Sequence, residues 1–253
     1  MDLGLTGSSV IVTGASSGIG RAIAVAFGRE GARVALTYHH NRDGAERTAA
    51  LVREAGGEPL VVPFALEDTR TASALVDAVR AQWGSLHVLI NNAVCWPAAF
   101  STIEETPLDV FRASVHANID GTFALIQASL PLLRASAWAR IVTISTGLVV
   151  DGFPGSAAYM TGKAALHGLH RTLAKELGPA GILTNVLMSG AVETRERPPE
   201  LLALMKRSAA TGRMTEADDV ARAAVFLGSL GNGHITGEAV RCDGFYVSPV
   251  RRG

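Results

Sequence analysis

The sequence predicts an α/β fold, namely a doubly wound parallel sheet of about seven strands with helices on both faces. Short apolar runs alternate with amphipathic stretches along the 253 residues, of which 48% are hydrophobic. A glycine-rich turn follows the first apolar run, and no linker or repeat divides the chain. Strict alternation of this kind is typical of a parallel sheet whose strands are apolar on both faces, because helices cover both sides.

The individual strands are predicted from apolar runs that are too short for helices and rich in β-branched residues. In chain order they are residues 10–12, 34–36, 60–62, 88–90, 141–144, 184–187 and the edge strand 239–241. Amphipathic helices are predicted between them, for example over 45–55, 71–83 and 218–230. The segment 195–208 contains Pro198 and Pro199 and breaks the alternation, so we expect an inserted helix over the strand ends.

Charge and composition exclude several classes of function. The chain carries 23 basic and 23 acidic residues, so no net charge attracts nucleic acid or an anionic membrane. We find no transmembrane stretch and no signal-peptide pattern. Two cysteines, Cys95 and Cys242, make no disulfide framework. These features lead us to expect a cytoplasmic protein.

A glycine motif follows the first strand and leads into a helix. Its spacing is G-x-x-x-G-x-G, which allows a tight turn and lets a pyrophosphate approach the helix N-terminus. The motif predicts a dinucleotide site of the Rossmann type, and the alternative is a loop that only turns the chain. The candidate cofactor-binding residues are Gly14, Ser16, Ser17, Gly18, Ile19 and Gly20.

Tyr159 and Lys163 are four residues apart, so a helix places both side chains on one face. A cation beside a phenol favours the phenolate, and we therefore expect Lys163 to lower the pKa of Tyr159. A phenol tuned in this way exchanges a proton with a carbonyl or alcohol oxygen. The pair predicts carbonyl or alcohol chemistry.

Two further motifs complete a pattern. Asn91-Asn92-Ala93 closes the fourth strand, and the fifth strand ends in Ser145-Thr146. Together with the glycine turn and the Tyr-x-x-x-Lys pair, in this order, they resemble the short-chain dehydrogenase/reductase family in its short single-domain, ketoacyl-reductase-like form. The resemblance runs from Leu5 to about Phe245. It implies a single dinucleotide-binding and catalytic domain over 1–253, with a substrate lid at about 190–210.

The resemblance also implies a role for each catalytic candidate. Tyr159 would exchange the proton with the substrate oxygen, and Lys163 would hold the nicotinamide ribose. Asn118 would steady a water-linked proton relay. Counting back from Tyr159 places the substrate-binding hydroxyl on Thr146, with Ser145 as the alternative, and only one of the two can face the site. Further cofactor contacts would come from Leu66, Asn92, Ala93, Val192 and Thr194, besides Tyr159 and Lys163.

The cofactor prediction rests on the end of the second strand. A carboxylate there would bind the ribose 2′-hydroxyl of NAD, and a basic residue would favour the 2′-phosphate of NADP. The chain reads Tyr38-His39-His40-Asn41-Arg42 at this point. His39 and Arg42 therefore favour NADP(H) over NAD(H).

Four departures from the family pattern keep other functions open. They are Ala65, Val94, Ser189 and Phe245, at positions where the family usually has aspartate, glycine, proline and glycine. The main hypothesis is an NADP-dependent carbonyl reductase or alcohol dehydrogenase. The alternatives are a non-catalytic cofactor-binding or regulatory member of the same fold, and an isomerase or dehydratase that uses Tyr159.

The loops expected over the strand ends predict an apolar pocket for a ketone or alcohol that is itself apolar or cyclic. The side chains concerned are Trp96, Phe100, Leu148, Val149, Val150, Phe153 and Met188. His39 and His40 have no neighbouring ligands in the sequence, so no metal site is predicted. His167 and His170 are interpreted as surface or subunit-contact residues. The resemblance also implies a homo-oligomer, either a tetramer or a dimer.

Overall fold

The computed structural model describes residues 2–96, 100–192 and 198–245, and within these ranges seven parallel strands form one sheet in the order β3-β2-β1-β4-β5-β6-β7. The strands are β1 Ser9–Val12, β2 Arg33–Tyr38, β3 Glu58–Pro63, β4 Val88–Asn91, β5 Ala139–Thr146, β6 Ile182–Ser189 and β7 Ala239–Cys242. The predicted doubly wound sheet is confirmed. Its order reverses between β1 and β4, and the crevice at such a reversal is where ligands of this fold class bind.

Helices cover both faces of the sheet. They are α1 Gly18–Arg29, α2 Arg42–Glu54, α3 Arg70–Trp83, α4 Leu108–Ala135, α5 Leu148–Asp151, α6 Ala157–Leu177, α7 Pro199–Arg207 and α8 Ala217–Leu227. Apolar residues of α1, α2 and α8 form one buried cluster with the sheet, and residues of α3, α4 and α6 form another. The core therefore has two apolar layers with the strands between them.

Helix ends show where local side chains shift the predicted boundaries. The helix predicted from residue 45 begins at Arg42, because the Asn41 side chain accepts a hydrogen bond from the Gly44 amide at 2.9 Å. In the segment with two prolines, α7 begins at Pro199, where proline is well suited to a first helical position. Thr194, a predicted cofactor contact, lies outside the described residues.

The register of the strands brings their carboxyl ends to a common edge. Thr146 of β5 pairs with Ser189 of β6, and Ser189 pairs with Cys242 of β7. On the same edge, Gly121 of α4 lets the helix approach the loop after β3, since a Cβ there would lie 2.3 Å from the Leu66 carbonyl oxygen. Across the described ranges no helix is long and apolar enough to cross a membrane.

Candidate active site

The glycine turn after β1 is shaped by sterics. Gly14 and Gly18 have φ angles of +64° and +54°, which L side chains rarely adopt. A Cβ on Gly20 would lie 2.3 Å from the Gly14 carbonyl oxygen and 2.5 Å from Asn92 Nδ2. Position 20 therefore requires glycine, because the first turn of α1 packs against the backbone of Gly14.

Short polar side chains fasten this turn to the end of β4. Asn92 Nδ2 donates to the Thr13 carbonyl oxygen at 2.8 Å. In return, the Thr13 hydroxyl oxygen accepts hydrogen bonds from the amides of Asn92 and Ala93, each at 2.9 Å. Thr13 was not among the predicted site residues, although a threonine between an apolar strand and a glycine turn is a signal that could have identified it.

The start of α1 fits a phosphate group. Ser17 occupies the N-cap position but its side chain makes no capping hydrogen bond, so the first amide groups of the helix remain available. Arg21 Nη2 donates to the Ser16 carbonyl oxygen at 2.6 Å, which fixes the turn from the opposite side. Free amides and the helix dipole attract an anion, so Gly18, Ile19 and Gly20 fit the pyrophosphate of a dinucleotide.

A groove of about 510 Å³ runs along the carboxyl edge of the sheet from β2 to β4. Its lining residues are Gly14, Ser16, His39, His40, Asn41, Phe64, Leu66, Glu67, Asn92, Ala93, Val94, Cys95 and Trp96. Six predicted cofactor residues are thus brought together in one groove. Val192 is buried and forms an isolated parallel bridge with Thr215, away from this lining.

The end of β2 carries a charge pattern that the sequence prediction missed. His39 Nε2 lies 3.2 Å from Glu67 Oε1, and its ring lies against His40 with centroids 3.5 Å apart. Arg42 does not line the groove; its side chain is 71% exposed, with Nε 3.7 Å from Glu46 Oε1. The contact between Glu67 and His39 could not be predicted from sequence, because the two residues follow different strands, β3 and β2.

Tyr159 and Lys163 are buried side by side on the first turns of α6. Lys163 Nζ donates to the Ile144 carbonyl oxygen at 2.9 Å, and burial lowers the pKa of this amine to about 8. Burial raises the pKa of Tyr159 above its ordinary value. The expectation that Lys163 lowers the pKa of Tyr159 is therefore wrong, because burial of the phenol sets the direction of the shift.

The phenol ring of Tyr159 is covered by Trp96. Their ring centroids are 4.6 Å apart and the planes are nearly parallel, at 19°. Because Trp96 also lines the groove, its indole is the link between the cofactor groove and the proposed acid.

The two hydroxyls at the end of β5 have different surroundings. Ser145 Oγ is hydrogen-bonded to His167 Nε2 of α6 at 2.9 Å, in a partly buried contact. Thr146 Oγ1 accepts a hydrogen bond from the Leu148 amide at 3.2 Å, at the start of α5. The occupied Ser145 hydroxyl favours Thr146 as the hydroxyl that faces a substrate.

His170 of α6 is not a surface residue, contrary to the interpretation from sequence. His170 is fully buried, with Nε2 2.7 Å from Thr143 Oγ1 and Nδ1 bonded to the Thr184 hydroxyl. Burial lowers its pKa to about 3, so the imidazole is neutral. His167 is half-buried, and burial, followed by Arg171 and Lys163, lowers its pKa as well. Their pairing with hydroxyls of β5 and β6 explains the difference, since α6 packs directly on these strands.

Asn118 is buried in the middle of α4 and fixes the segment that follows β4. Its Nδ2 donates to the Cys95 carbonyl oxygen at 2.9 Å, and its Oδ1 accepts from the Cys95 amide at 3.1 Å. This two-way bond holds the backbone next to Trp96. Close packing of α4 on α6 brings Asn118 near the catalytic helix, since a Cβ on Gly162 would lie 3.4 Å from Asn118 Cβ.

Comparison with known proteins agrees with this geometry. A family model described as Enoyl-(Acyl carrier protein) reductase matches residues 14–246. The chain belongs to the short-chain dehydrogenase/reductase family. Enzymes of this family are oxidoreductases that transfer hydride between a nicotinamide cofactor and ketone or alcohol substrates, and this chain is one of them.

Relatives within the short-chain dehydrogenase/reductase family have diverse activities. The chain is 31% identical to an L-rhamnose 1-dehydrogenase (NAD(P)(+)) of Sphingomonas, over 96% of this chain and 98% of that one. It is 30% identical to the 3-oxoacyl-(acyl-carrier-protein) reductase of Staphylococcus aureus, over 93% and 96%. The structure of an NADH-dependent reductase responsible for alginate metabolism superposes with a TM-score of 0.87 at 27% identity, covering 97% and 99%.

Proposed function

We propose that the protein is an NADP(H)-dependent carbonyl reductase or alcohol dehydrogenase in which Tyr159 exchanges the proton with the substrate oxygen. The observation that carries this proposal is the placement of Tyr159 and Lys163. Both are buried on α6, next to a groove that six predicted cofactor residues line. Reduction of a carbonyl group needs a proton donor, a charge that stabilises the donor's anion and a bound hydride source, and Tyr159, Lys163 and the groove would supply these at one edge of the sheet.

The protonation states support Tyr159 as an acid. Burial raises the pKa of Tyr159, so its hydroxyl keeps its proton at neutral pH but is a weaker acid, and donation to a carbonyl oxygen would require that the resulting phenolate is stabilised. A bound nicotinamide would supply the hydride that reaches the carbonyl carbon. Lys163, with a pKa of about 8, is mostly charged at neutral pH and would stabilise the phenolate left after the transfer. Its amine would also bind the nicotinamide ribose.

Two other side chains would orient the substrate and the acid. The Thr146 hydroxyl would hydrogen-bond the substrate oxygen and stabilise the charge that develops there. Asn118 would hold the segment after β4 through its bonds to Cys95, and thereby set the position of Trp96 beside Tyr159. These roles assign Asn118, Thr146, Tyr159 and Lys163 to the reaction.

The preference for NADP(H) is argued from the end of β2. No carboxylate of β2 itself faces the groove, so the usual anchor for the 2′-hydroxyl of NAD is replaced by His39. Arg42 is exposed on the first turn of α2, close in sequence to the end of β2, and would supply positive charge for a 2′-phosphate. Glu67 opposes this preference, because its carboxylate lies 3.2 Å from His39 Nε2 and would repel a phosphate.

A titration with NADPH and, separately, NADH tests the cofactor assignment through the indole fluorescence of the protein. We expect tighter binding of NADPH, a weaker NADPH affinity in Arg42→Ala, and a stronger one in Glu67→Gln because a repelling charge is removed. Arg47→Ala, on the same helix, serves as the control. Tighter binding of NADH in the wild type would overturn the preference, and binding of neither cofactor would overturn the proposed function.

We also propose a homo-oligomer, a tetramer or a dimer, in the cytoplasm. Large apolar side chains on α4 support association, since Leu108, Val110 and Phe123 are 59%, 44% and 48% exposed. Light scattering coupled to size exclusion measures the assembly directly. A mass equal to one chain of 26.4 kDa would contradict the proposal.

A further inference from the structure

Three large aromatic side chains are exposed at the mouth of the site. Trp96, Phe100 and Phe153 keep 58%, 48% and 43% of their surface accessible. Water-exposed rings of this size are unfavourable, and several close together indicate a surface that binds an apolar group. Their position next to Tyr159 indicates that the group is part of the substrate.

The three rings form a continuous aromatic surface. The edge of Phe100 meets Trp96 at a centroid distance of 6.4 Å and an angle of 83°. Phe100 meets Phe153 in the same manner, at 6.3 Å and 72°. The two loops concerned are joined by a hydrogen bond from the Ser101 amide to the Gly155 carbonyl oxygen at 3.0 Å. The backbone therefore supports this surface before any ligand arrives.

Trp96 stands on one side of the place where a substrate would approach Tyr159. A carbonyl oxygen that accepts the proton must lie about 2.6–3.2 Å from the Tyr159 hydroxyl. The indole of Trp96 covers one face of the phenol at a centroid distance of 4.6 Å. A carbonyl substituent on that side of the phenol therefore meets the indole or takes its place against the phenol ring.

We propose that Trp96 contacts the substrate and selects ketones with an aromatic ring next to the carbonyl; this inference rests on the proposed function. To admit a flat aromatic ring, the Trp96 indole must move by about the thickness of one ring, roughly 3.5–4.0 Å. The indole then stacks on the substrate ring instead of on Tyr159. A saturated ring is thicker and offers no π face. The difference favours the aromatic ketone by about 2- to 10-fold in kcat/KM.

Acetophenone and cyclohexyl methyl ketone test the selection, because they share the same number of carbon atoms. We expect wild-type kcat/KM to favour acetophenone by about 2- to 10-fold, and Trp96→Leu to reduce the ratio to about one. Trp138→Phe is the matched control, since Trp138 packs on His87 at a centroid distance of 5.3 Å, outside the site. An unchanged ratio in Trp96→Leu would overturn the inference.

A second readout does not depend on turnover. The chain has three tryptophans, so Trp83→Phe with Trp138→Phe leaves Trp96 as the single indole. We expect 1-phenylethanol, in the presence of NADPH, which cannot accept hydride from an alcohol, to change the Trp96 emission in a saturable way, and 1-cyclohexylethanol to change it much less. Equal responses to both alcohols, or no response, would contradict the ring contact.

The two readouts separate this inference from the proposed function. A saturable Trp96 response without NADPH consumption by any ketone would support the ring contact and contradict the reductase. Ketone reduction with a ratio that Trp96→Leu leaves unchanged would support the reductase and contradict the ring contact.

Discussion

The two halves of the site are built by different means. The cofactor half, around the glycine turn, is held by short side chains and backbone groups, such as Thr13 against the amides of Asn92 and Ala93. The catalytic half is held by buried charges, ion pairs and stacked rings. Arg241 of β7, for example, contacts Asp243 at 2.6 Å and Asp151 of α5 at 3.2 Å.

This difference predicts which kinds of substitution each half tolerates. Backbone contacts in the cofactor half leave no room for added atoms, so we expect steric changes there to weaken cofactor binding. In the catalytic half the interactions are electrostatic and aromatic, so removing a charge or a ring changes the reaction more than the fold. The following substitutions test the distinction, from the largest expected effect to the smallest.

Lys163→Met should have the largest effect, and it should lower kcat while raising the free energy of unfolding. Loss of the cation that stabilises phenolate is expected to lower kcat by about 10²–10³-fold. Burial lowers the pKa of Lys163 from 10.5 to about 8, so the native state binds this proton less well than the unfolded chain. The folded state therefore has no penalty from Lys163 above the unfolded pKa of 10.5, where the amine is neutral in both states, and it is destabilised as the pH falls through the folded pKa of about 8.

The same variant should therefore be more stable than the wild type without cofactor. We expect a gain of about 3 kcal/mol in the free energy of unfolding near pH 7, shrinking as the pH rises towards 10.5. Urea unfolding of both proteins at neutral and alkaline pH measures this. A variant that is less stable than wild type at neutral pH would contradict the account of Lys163 as a desolvated cation.

Gly20→Ala tests the steric half. The new Cβ would lie 2.3 Å from the Gly14 carbonyl oxygen, so the turn must shift. We expect a loss of about 1–3 kcal/mol in stability and about a 10-fold weaker cofactor Kd. Gly168→Ala is the control, because a Cβ there meets nothing within 4 Å. Unchanged cofactor affinity in Gly20→Ala would show that the turn does not bind the dinucleotide.

Asp151→Asn tests the ion pair that joins α5 to β7. The change weakens the contact with Arg241 but keeps the pair between Arg241 and Asp243. Because α5 follows Thr146 directly, we expect kcat/KM to fall by about 3- to 10-fold with little change in Tm. Asp77→Asn, exposed on α3, should leave kcat/KM unchanged. Equal activity of the two variants would mean that the ion pair does not position α5.

The sheet and the glycine turn could be predicted from sequence because their determinants are local. Gly14, Gly18 and Gly20 act within one turn, and the seven strands follow from short apolar runs. The catalytic half depends on pairings between distant segments, such as Trp96 with Tyr159 and Asp151 with Arg241, and the pair of Glu67 with His39 in the cofactor groove is of the same kind. No local pattern reveals these contacts.

The pKa of Tyr159 shows a second reason why some predictions from sequence were wrong. The i, i+4 spacing predicts that Lys163 is near, but it carries no information on how much water surrounds either group. Burial decides the sign of the shift, and burial is set by Trp96 and the packing of α6. The hydrogen bonds of His167 and His170 escaped prediction in the same way, since helical spacing alone does not reveal which face contacts the sheet.

The most direct test of the central claim is the kcat of Tyr159→Phe, measured with NADPH and a ketone that the wild type reduces. We predict a loss of about 10²–10⁴-fold in kcat, because the proton donor is removed. Tyr38→Phe, at the end of β2, controls for the loss of a phenol elsewhere. If Tyr159→Phe keeps kcat within a few-fold of wild type, Tyr159 is not the acid.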